Sequence, residues 1–196
     1  MPLKSIELSK PSSQGSISLE QAIGNRKSVR SFNKQNLSLE QIGQLLWAGQ
    51  GLRDALGQRT VPSAGALYPL ELYLVTEEGA YHYVPKGHRM EPHIEGDMRS
   101  SLSNAALGQV FISQSPATIL LTAVFTRIET KYGKERSGQY IYLEAGHAAQ
   151  NILLQATALG LDGVPVGAFY EEQVSKVLKL PREHYPLYLI PLGFAE

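Results

Sequence analysis

The 196-residue chain contains no cysteine. That removes disulfides, thiolate nucleophiles and cysteine-based zinc or iron–sulfur centres together. Net charge is also missing: 18 Lys and Arg balance 18 Asp and Glu. Nothing would draw the whole chain to nucleic acid or to an anionic membrane. No apolar run approaches the roughly 18–20 residues of a membrane span; the longest, residues 117–125, is strand-sized. Residues 1–15 lack the apolar centre of a secretory signal. These absences fit a cytoplasmic chain that meets a small molecule. The glycine-rich motif of a dinucleotide fold, a P-loop, a nucleophile elbow and the paired-histidine helix of zinc proteases are all absent. His88 and His93 flank one loop and could meet at a metal or stand in solvent; no metal site is expected.

What is present reads as an α+β protein. An apolar content of 43% with 18% charged residues suits one globular domain with a sizeable core. The Ser-, Pro- and Gln-containing start reads as a loose arm over 1–16, followed by a single domain over 17–196. The tetrapeptide Ser-Leu-Glu-Gln occurs at 18 and again at 38 and matches a capping box both times. The first helix ends near Gly24 and Asn25, with Leu19, Ala22 and Ile23 as its apolar stripe. The second carries Leu39, Ile42, Leu45 and Leu46 to about Gly49 or Gly51.

Residues 70–76 alternate as a strand, with 80–84 as hairpin partner. A helix is expected over 97–107, a buried strand over 117–125 and the longest helix over 139–159. That long helix has Tyr142, Ala145, Ala149, Ile152, Leu153 and Ala156 inside and Gly160 as its left-handed cap. A loop at 163–169, a helix at 171–178 and a terminal strand at 186–193 complete the chain. Strands do not alternate regularly with helices, which favours α+β over a doubly wound sheet.

Two stretches could carry chemistry. Arg26-Lys27-Ser28-Val29-Arg30 places three cations and a hydroxyl within five residues. If extended, it puts Arg26, Ser28 and Arg30 on one face, a composition suited to a phosphate monoester or to a solvated basic turn. The second is Pro62-Ser63-Ala64-Gly65-Ala66-Leu67-Tyr68-Pro69. Its small residues would let backbone groups approach a flat ligand, or would simply feed the following strand. On the long helix Glu144, His147, Gln150 and Asn151 share helical spacings. They could form a dyad, or polar positions satisfied locally in a packed helix.

Four pieces in order resemble the FMN-dependent nitroreductase family, on the branch that includes the SagB-type azoline-oxidising dehydrogenases of thiazole/oxazole peptide synthesis. They are Arg26-Lys27-Ser28-Val29-Arg30-Ser31-Phe32; the proline loop continued by Leu70-Glu71-Leu72-Tyr73; Leu143-Glu144-Ala145-Gly146-His147-Ala148-Ala149-Gln150-Asn151 with Ala158-Leu159-Gly160-Leu161; and Tyr188-Leu189-Ile190-Pro191-Leu192-Gly193. The match runs from about Ile17 onward.

The resemblance implies a mainly antiparallel sheet flanked by helices, with FMN at a homodimer interface. It implies that Arg26, Lys27, Ser28 and Arg30 bind the FMN phosphate and ribityl chain. Pro62, Ser63, Ala64, Gly65 and Leu67 would lie against the isoalloxazine from the other subunit, and Gly167 or Ala168 would offer a backbone N–H to flavin N5. Ala66 stands where many relatives carry an asparagine. Relatives also carry basic residues beyond the last strand; with Glu196 three residues past Gly193, the phosphate is expected to rely on the first motif or on Arg53, Arg59 or Arg136. Lys131 and Tyr132 match the acid/base pair of the azoline-oxidising branch, though as residues alone they read as an exposed loop.

The implied activity is NAD(P)H-linked, ping-pong reduction of a nitro, quinone or similar acceptor. The alternatives are azoline oxidation within a modification complex and a non-catalytic flavin-binding module.

Overall fold

The computed structural model describes residues 3–196. In chain order the elements are β1 (Ile6–Glu7), α1 (Leu19–Asn25), α2 (Leu39–Gln50), a 3-10 turn (Ala64–Ala66), β2 (Leu70–Val75), β3 (Gly79–Val84), β4 (Arg89–Glu95), α3 (Arg99–Ala105), α4 (Val110–Gln114), β5 (Ala117–Ala123), α5 (Phe125–Tyr132), α6 (Lys134–Ala158), β6 (Asp162–Gly163), α7 (Glu171–Val177) and β7 (Tyr185–Gly193). The strands form one sheet in the order β1-β4-β3-β2-β5-β7-β6, every pair antiparallel. The fold is α+β, as the pattern of elements predicts.

Both helix starts that share a tetrapeptide behave alike. Ser18 and Ser38 each accept from the backbone N–H three residues on, and Gln21 and Gln41 each reach back to the cap. Each box satisfies two amides that the first helical turn leaves without partners, and such a cap contributes about 1 kcal/mol. Gly160 has φ 73°, the left-handed value its place after α6 requires.

Helices cover both faces of the sheet, so the central strands are buried throughout. On β2, Leu70, Leu72 and Leu74 point into a core shared with α2 and α6, while Tyr73 and Val75 point into a second core with α3, α4 and α7. On β5, Ile119 and Leu121 take the first core and Leu120 the second. This two-sided burial is why β5 reads as an unbroken apolar run rather than an alternating one. Each fully buried leucine or isoleucine contributes roughly 1.5–3 kcal/mol.

Several expectations are corrected. β4 follows a turn through Gly87 and His88, both at positive φ; its Arg, Glu, Pro and His content hides it from strand propensity, and pairing with β3 overrides that. The strand at 117 stops at Ala123, and Phe125 opens α5 where a loop was expected. The long helix begins at Lys134, five residues early, because a polar first turn carries no apolar signal. Leu19, Ile23 and Tyr142, expected inside, are 62%, 56% and 59% exposed; only Ala22 of α1 is buried. Their faces of α1 and α6 point away from the sheet. Among the described residues no helix is long and apolar enough to cross a membrane.

Gly163 is the tightest point beside the candidate site. A Cβ there would stand 2.7 Å from Leu192 Cδ2 and 2.9 Å from the Pro191 carbonyl oxygen. Gly163→Ala is therefore expected to cost about 1–3 kcal/mol through overpacking, measured as a lower denaturation midpoint with an unchanged m-value.

Candidate functional site

The basic motif lies in an extended segment laid beside the end of the sheet. Ser28 bridges Gly163 in parallel, and Val29 N–H donates to the Gly163 carbonyl at 3.2 Å. Phe32 bridges Ala195, and Asn33 N–H donates to the Phe194 carbonyl at 2.9 Å. The chain's start and end are thus stitched together around the motif. Arg26 is half-buried; Lys27, Ser28 and Arg30 are exposed. Among the described residues none of the three cations has an ion-pair partner. Arg30 instead lies 5.8 Å from the Phe111 ring centre.

The segment after β6 reaches the same neighbourhood. Val166 exchanges backbone hydrogen bonds with Leu189, and the next two residues, Gly167 and Ala168, are exposed. Gln109 Nε2 donates to the Ala168 carbonyl at 2.9 Å and to the Ala106 carbonyl at 2.8 Å. Among the described residues the Gly167 and Ala168 amides have no hydrogen-bond partner. Free cations and unbonded N–H groups therefore stand on adjoining segments, a donor set that suits an anionic, acceptor-rich ligand.

The proline loop forms a second group. Ser63 Oγ accepts from Tyr68 N–H at 2.9 Å. Gly65, Ala66 and Tyr68 adopt φ of 63°, 55° and 47°. For Ala66 and Tyr68 this left-handed backbone is strained by about 1–3 kcal/mol each, and such strain persists only where surrounding contacts over-determine it. α5 delivers Lys131 and Tyr132 to this loop from its last turn, not from an exposed loop. A Cβ on Gly65 would fall 2.9 Å from Lys131 Nζ and 3.1 Å from Tyr132 Oη, so glycine alone lets the pair come this close. No hydrogen bond, ion pair or ring contact among the described residues joins this group to the basic motif within one chain.

Beneath the loop lies a polar chain that motif reading misses. Glu144, only 2% exposed, accepts from Gln50 Nε2 at 3.4 Å. Gln50 Oε1 accepts from Arg59 Nη1 at 2.7 Å, and the Arg59 guanidinium covers the Tyr68 ring at 5.0 Å. Burial pushes the Glu144 carboxyl up to about 7, against the pull of Ser63, Gln50 and Arg59. Further along, Arg127 binds the Tyr68 carbonyl and the Glu71 carboxylate, whose second oxygen meets His82 at 2.7 Å. The signal was available in principle, because Gln50 and Glu144 each fall on the apolar stripe of their helix, where a polar residue is out of place.

Other expected positions separate. His147 and Gln150 face outward from α6, so the imagined dyad with Glu144 does not form. Asn151 donates to the Ala48 carbonyl at 3.3 Å. Arg59 is engaged inside, Arg53 is held by Asp54 and Gln58 and Arg136 is exposed. His88 Nδ1 meets Tyr83 Oη at 2.8 Å, and His93 Nε2 donates to the Leu178 carbonyl at 2.7 Å, so the two histidines do not converge.

A seven-stranded antiparallel sheet with its C-terminal strand set between β5 and β6, and with helices on both faces, is a nitroreductase-like α+β fold. A crystal structure from Ralstonia eutropha JMP134, described provisionally as a nitroreductase, superposes with a TM-score of 0.90 at 28% identity, covering 99% of this chain and 90% of that one. The chain belongs to the nitroreductase family, whose model matches residues 23–194. A protein of Methanocaldococcus jannaschii, also provisionally described as a nitroreductase, is 40% identical over 183 residues, covering 90% of this chain and 91% of its own. The microcin B17-processing protein McbC of Escherichia coli is 28% identical over 160 residues, covering 76% of this chain and 58% of its own. The microcin synthetase complex McbBCD contains a chain that superposes with a TM-score of 0.75 at 25% identity, covering 94% of this chain and 75% of that one. The chain spans little more than half of McbC, so its activity within that larger protein bears on this chain only as a proposal.

The Glu71 cluster has a pH signature. Burial alone would raise the Glu71 carboxyl, but hydrogen bonds and charge from His82 and Arg127 reverse this and hold it at about 2. A depressed carboxylate stabilises the fold above its unfolded pKa of 4.5, and that contribution is lost as pH falls through about 2. Unfolding free energy should drop by up to ~3 kcal/mol across this window. Arg127→Met should flatten the drop in a pH series of urea melts.

Proposed function

We propose that the chain is an FMN-dependent oxidoreductase that takes electrons from NAD(P)H and passes them to a nitro, quinone or similar acceptor. Family membership supports an oxidoreductase. The observation that carries the cofactor reading is the juxtaposition of three unpaired cations and Ser28 with the unbonded Gly167 and Ala168 amides. Arg26, Lys27, Ser28 and Arg30 would hold the phosphate, Arg by paired N–H groups and Ser by its hydroxyl. Gly167 or Ala168 would donate its N–H to the flavin ring. Pro62, Ser63, Ala64, Gly65 and Leu67 would lie against that ring.

Bound FMN supplies reversible hydride chemistry, and the protein supplies position and electrostatics. The absence of contact between the two half-sites within one chain favours a homodimer, with each site built from both copies. The exposed Tyr142 and Leu143 of the longest helix offer an apolar face for a second copy.

A second reading has its own support. Lys131 Nζ and Tyr132 Oη stand at the proline loop, where they would hold and move a proton. Similarity to McbC and to a chain of the McbBCD complex favours oxidation of a peptide azoline inside a modification complex. The cytoplasm suits either reaction.

Flavin titration followed by fluorescence tests the cofactor. Wild type should bind FMN, and Arg26→Ala combined with Ser28→Ala should weaken it about 10- to 100-fold; unchanged affinity would remove the phosphate assignment. Anaerobic NADH or NADPH should bleach the flavin absorbance if the reductase reading holds. Separately, Lys131→Met and Tyr132→Phe should each lower turnover about 10²- to 10⁴-fold at unchanged FMN affinity. Wild-type rates in both would show that neither residue carries a proton.

A further inference from the structure

Glu144 is the one carboxyl among the described residues that is fully buried, and nothing in the proposed chemistry uses it. Its Oε2 has no hydrogen-bond partner. An orphaned buried carboxylate oxygen costs free energy, so its retention calls for a physical reason. The reason lies in a chain of contacts that runs from Glu144 to the proline loop. Glu144 Oε1 accepts from Gln50, Gln50 accepts from Arg59, and Arg59 donates its backbone N–H to Tyr68 Oη at 3.2 Å while its guanidinium covers the Tyr68 ring. Tyr68 N–H donates to Ser63 Oγ, and the Ser63 side chain lies near enough to Glu144 to pull down its pKa without completing a bond to Oε2. The chain of contacts ends on the stretch whose backbone is left-handed at Gly65, Ala66 and Tyr68.

We infer that Glu144 is a positioning residue whose carboxyl, acting through Gln50 and Arg59, locks residues 63–68 in the strained form that presents the loop to the flavin. The flavin end of this inference rests on the function proposed above; the locking of the loop does not. The protonated acid suits the task best. It puts no net charge into the seam, whereas the carboxylate would bury a charge that Ser63, Gln50 and Arg59 offset only in part.

Burial already holds the carboxyl up to about 7. Of the groups around it, only Arg59 acts on it as a charge. Lys131 and Tyr132 of α5 face the loop at Gly65, Glu71 and Arg127 stand behind Arg59, and Lys134 and Arg136 at the start of α6 are exposed. A raised pKa stabilises the locked form at low pH, and that contribution fades as pH rises through about 7.

Hydrogen exchange on the flavin-free full chain tests this at the Ala66, Leu67 and Tyr68 amides, all hydrogen-bonded within the loop. In wild type their protection, corrected for intrinsic rate, should fall by up to about tenfold between pH 6 and pH 8, the limit that proton linkage sets when opening returns the group from about 7 to 4.5. Glu144→Gln mimics the acid and should keep the pH 6 protection with no fall. Glu144→Leu should lose loop protection at both pH values while β5 stays protected. An equal pH slope in wild type and Glu144→Gln overturns the inference, as does full loop protection in Glu144→Leu. If Glu144→Leu does not fold, the Glu144→Gln comparison decides.

FMN titration of the same proteins separates the two readings. Wild type that binds no FMN removes the flavin function, while the exchange result still decides the role of Glu144. Wild type that binds FMN with an affinity as independent of pH as that of Glu144→Gln overturns the link between the lock and the flavin.

Discussion

The hydrogen bonds along β7 hold the sheet and the candidate site in one register. Along one edge β7 pairs with β5 from Ala117 to Ala123, through the middle of both cores. Along the other it takes β6 and, through an isolated bridge, Val166. The residues just past it reach back to Phe32 and Asn33. The basic motif near the start of the chain is therefore held by β6 and by the residues that follow the last strand of the chain. A slip of one residue in β7 would reverse every side chain it carries between the two cores. It would also move Gly163 away from Ser28, and Gly167 with it. Packing, register and the cation cluster are one constraint, and the absence of room for a Cβ at Gly163 shows how little play it has.

A second constraint works from inside. α2 and α6 pack apolar stripes against the sheet, yet the seam between them buries a polar pair, Gln50 and Glu144. A hydrocarbon pair there would be simpler to bury. The polar pair extends instead through Arg59 to the underside of the proline loop, where Arg127 and Glu71 continue the network toward His82. A loop with two left-handed non-glycine residues needs such support, because its backbone would relax without it. The loop beside Lys131 and Tyr132 is thus tied from below by buried and half-buried side chains.

The two half-sites differ in construction, which bears on what the chain can do. The half at the basic motif is open, cationic and rich in unbonded donors. The half at the proline loop is tightly tied and presents small side chains, with an amine and a phenol close by. One suits the charged end of a ligand and the other a flat face. With no contact between them among the described residues of one chain, a complete site calls for a second copy in the reading favoured here.

Local chemistry was legible without coordinates. The repeated tetrapeptide announced both capping boxes because a cap is a contact between residues three apart. Apolar period placed β2, β5, α2 and the bulk of α6, and Gly160 marked where that helix ends. The basic motif and the proline loop stood out by composition, and their order carried the resemblance to the family. What sequence could not show depends on partners distant in the chain. β4 is a strand because β3 is beside it, not because its own residues favour one. Leu19, Ile23 and Tyr142 have the right period but lie on the outward side, and period alone does not say which side the sheet will be on. Lys131 and Tyr132 became neighbours of Gly65 only when α5 packed, and Glu144 parted from His147 only when α6 chose its inward face. Sequence by itself determined most of the elements and the reactive groups they carry. Tertiary structure decided which of those groups meet, because burial and strand register, unlike helix caps and turns, are properties of residues far apart in the chain.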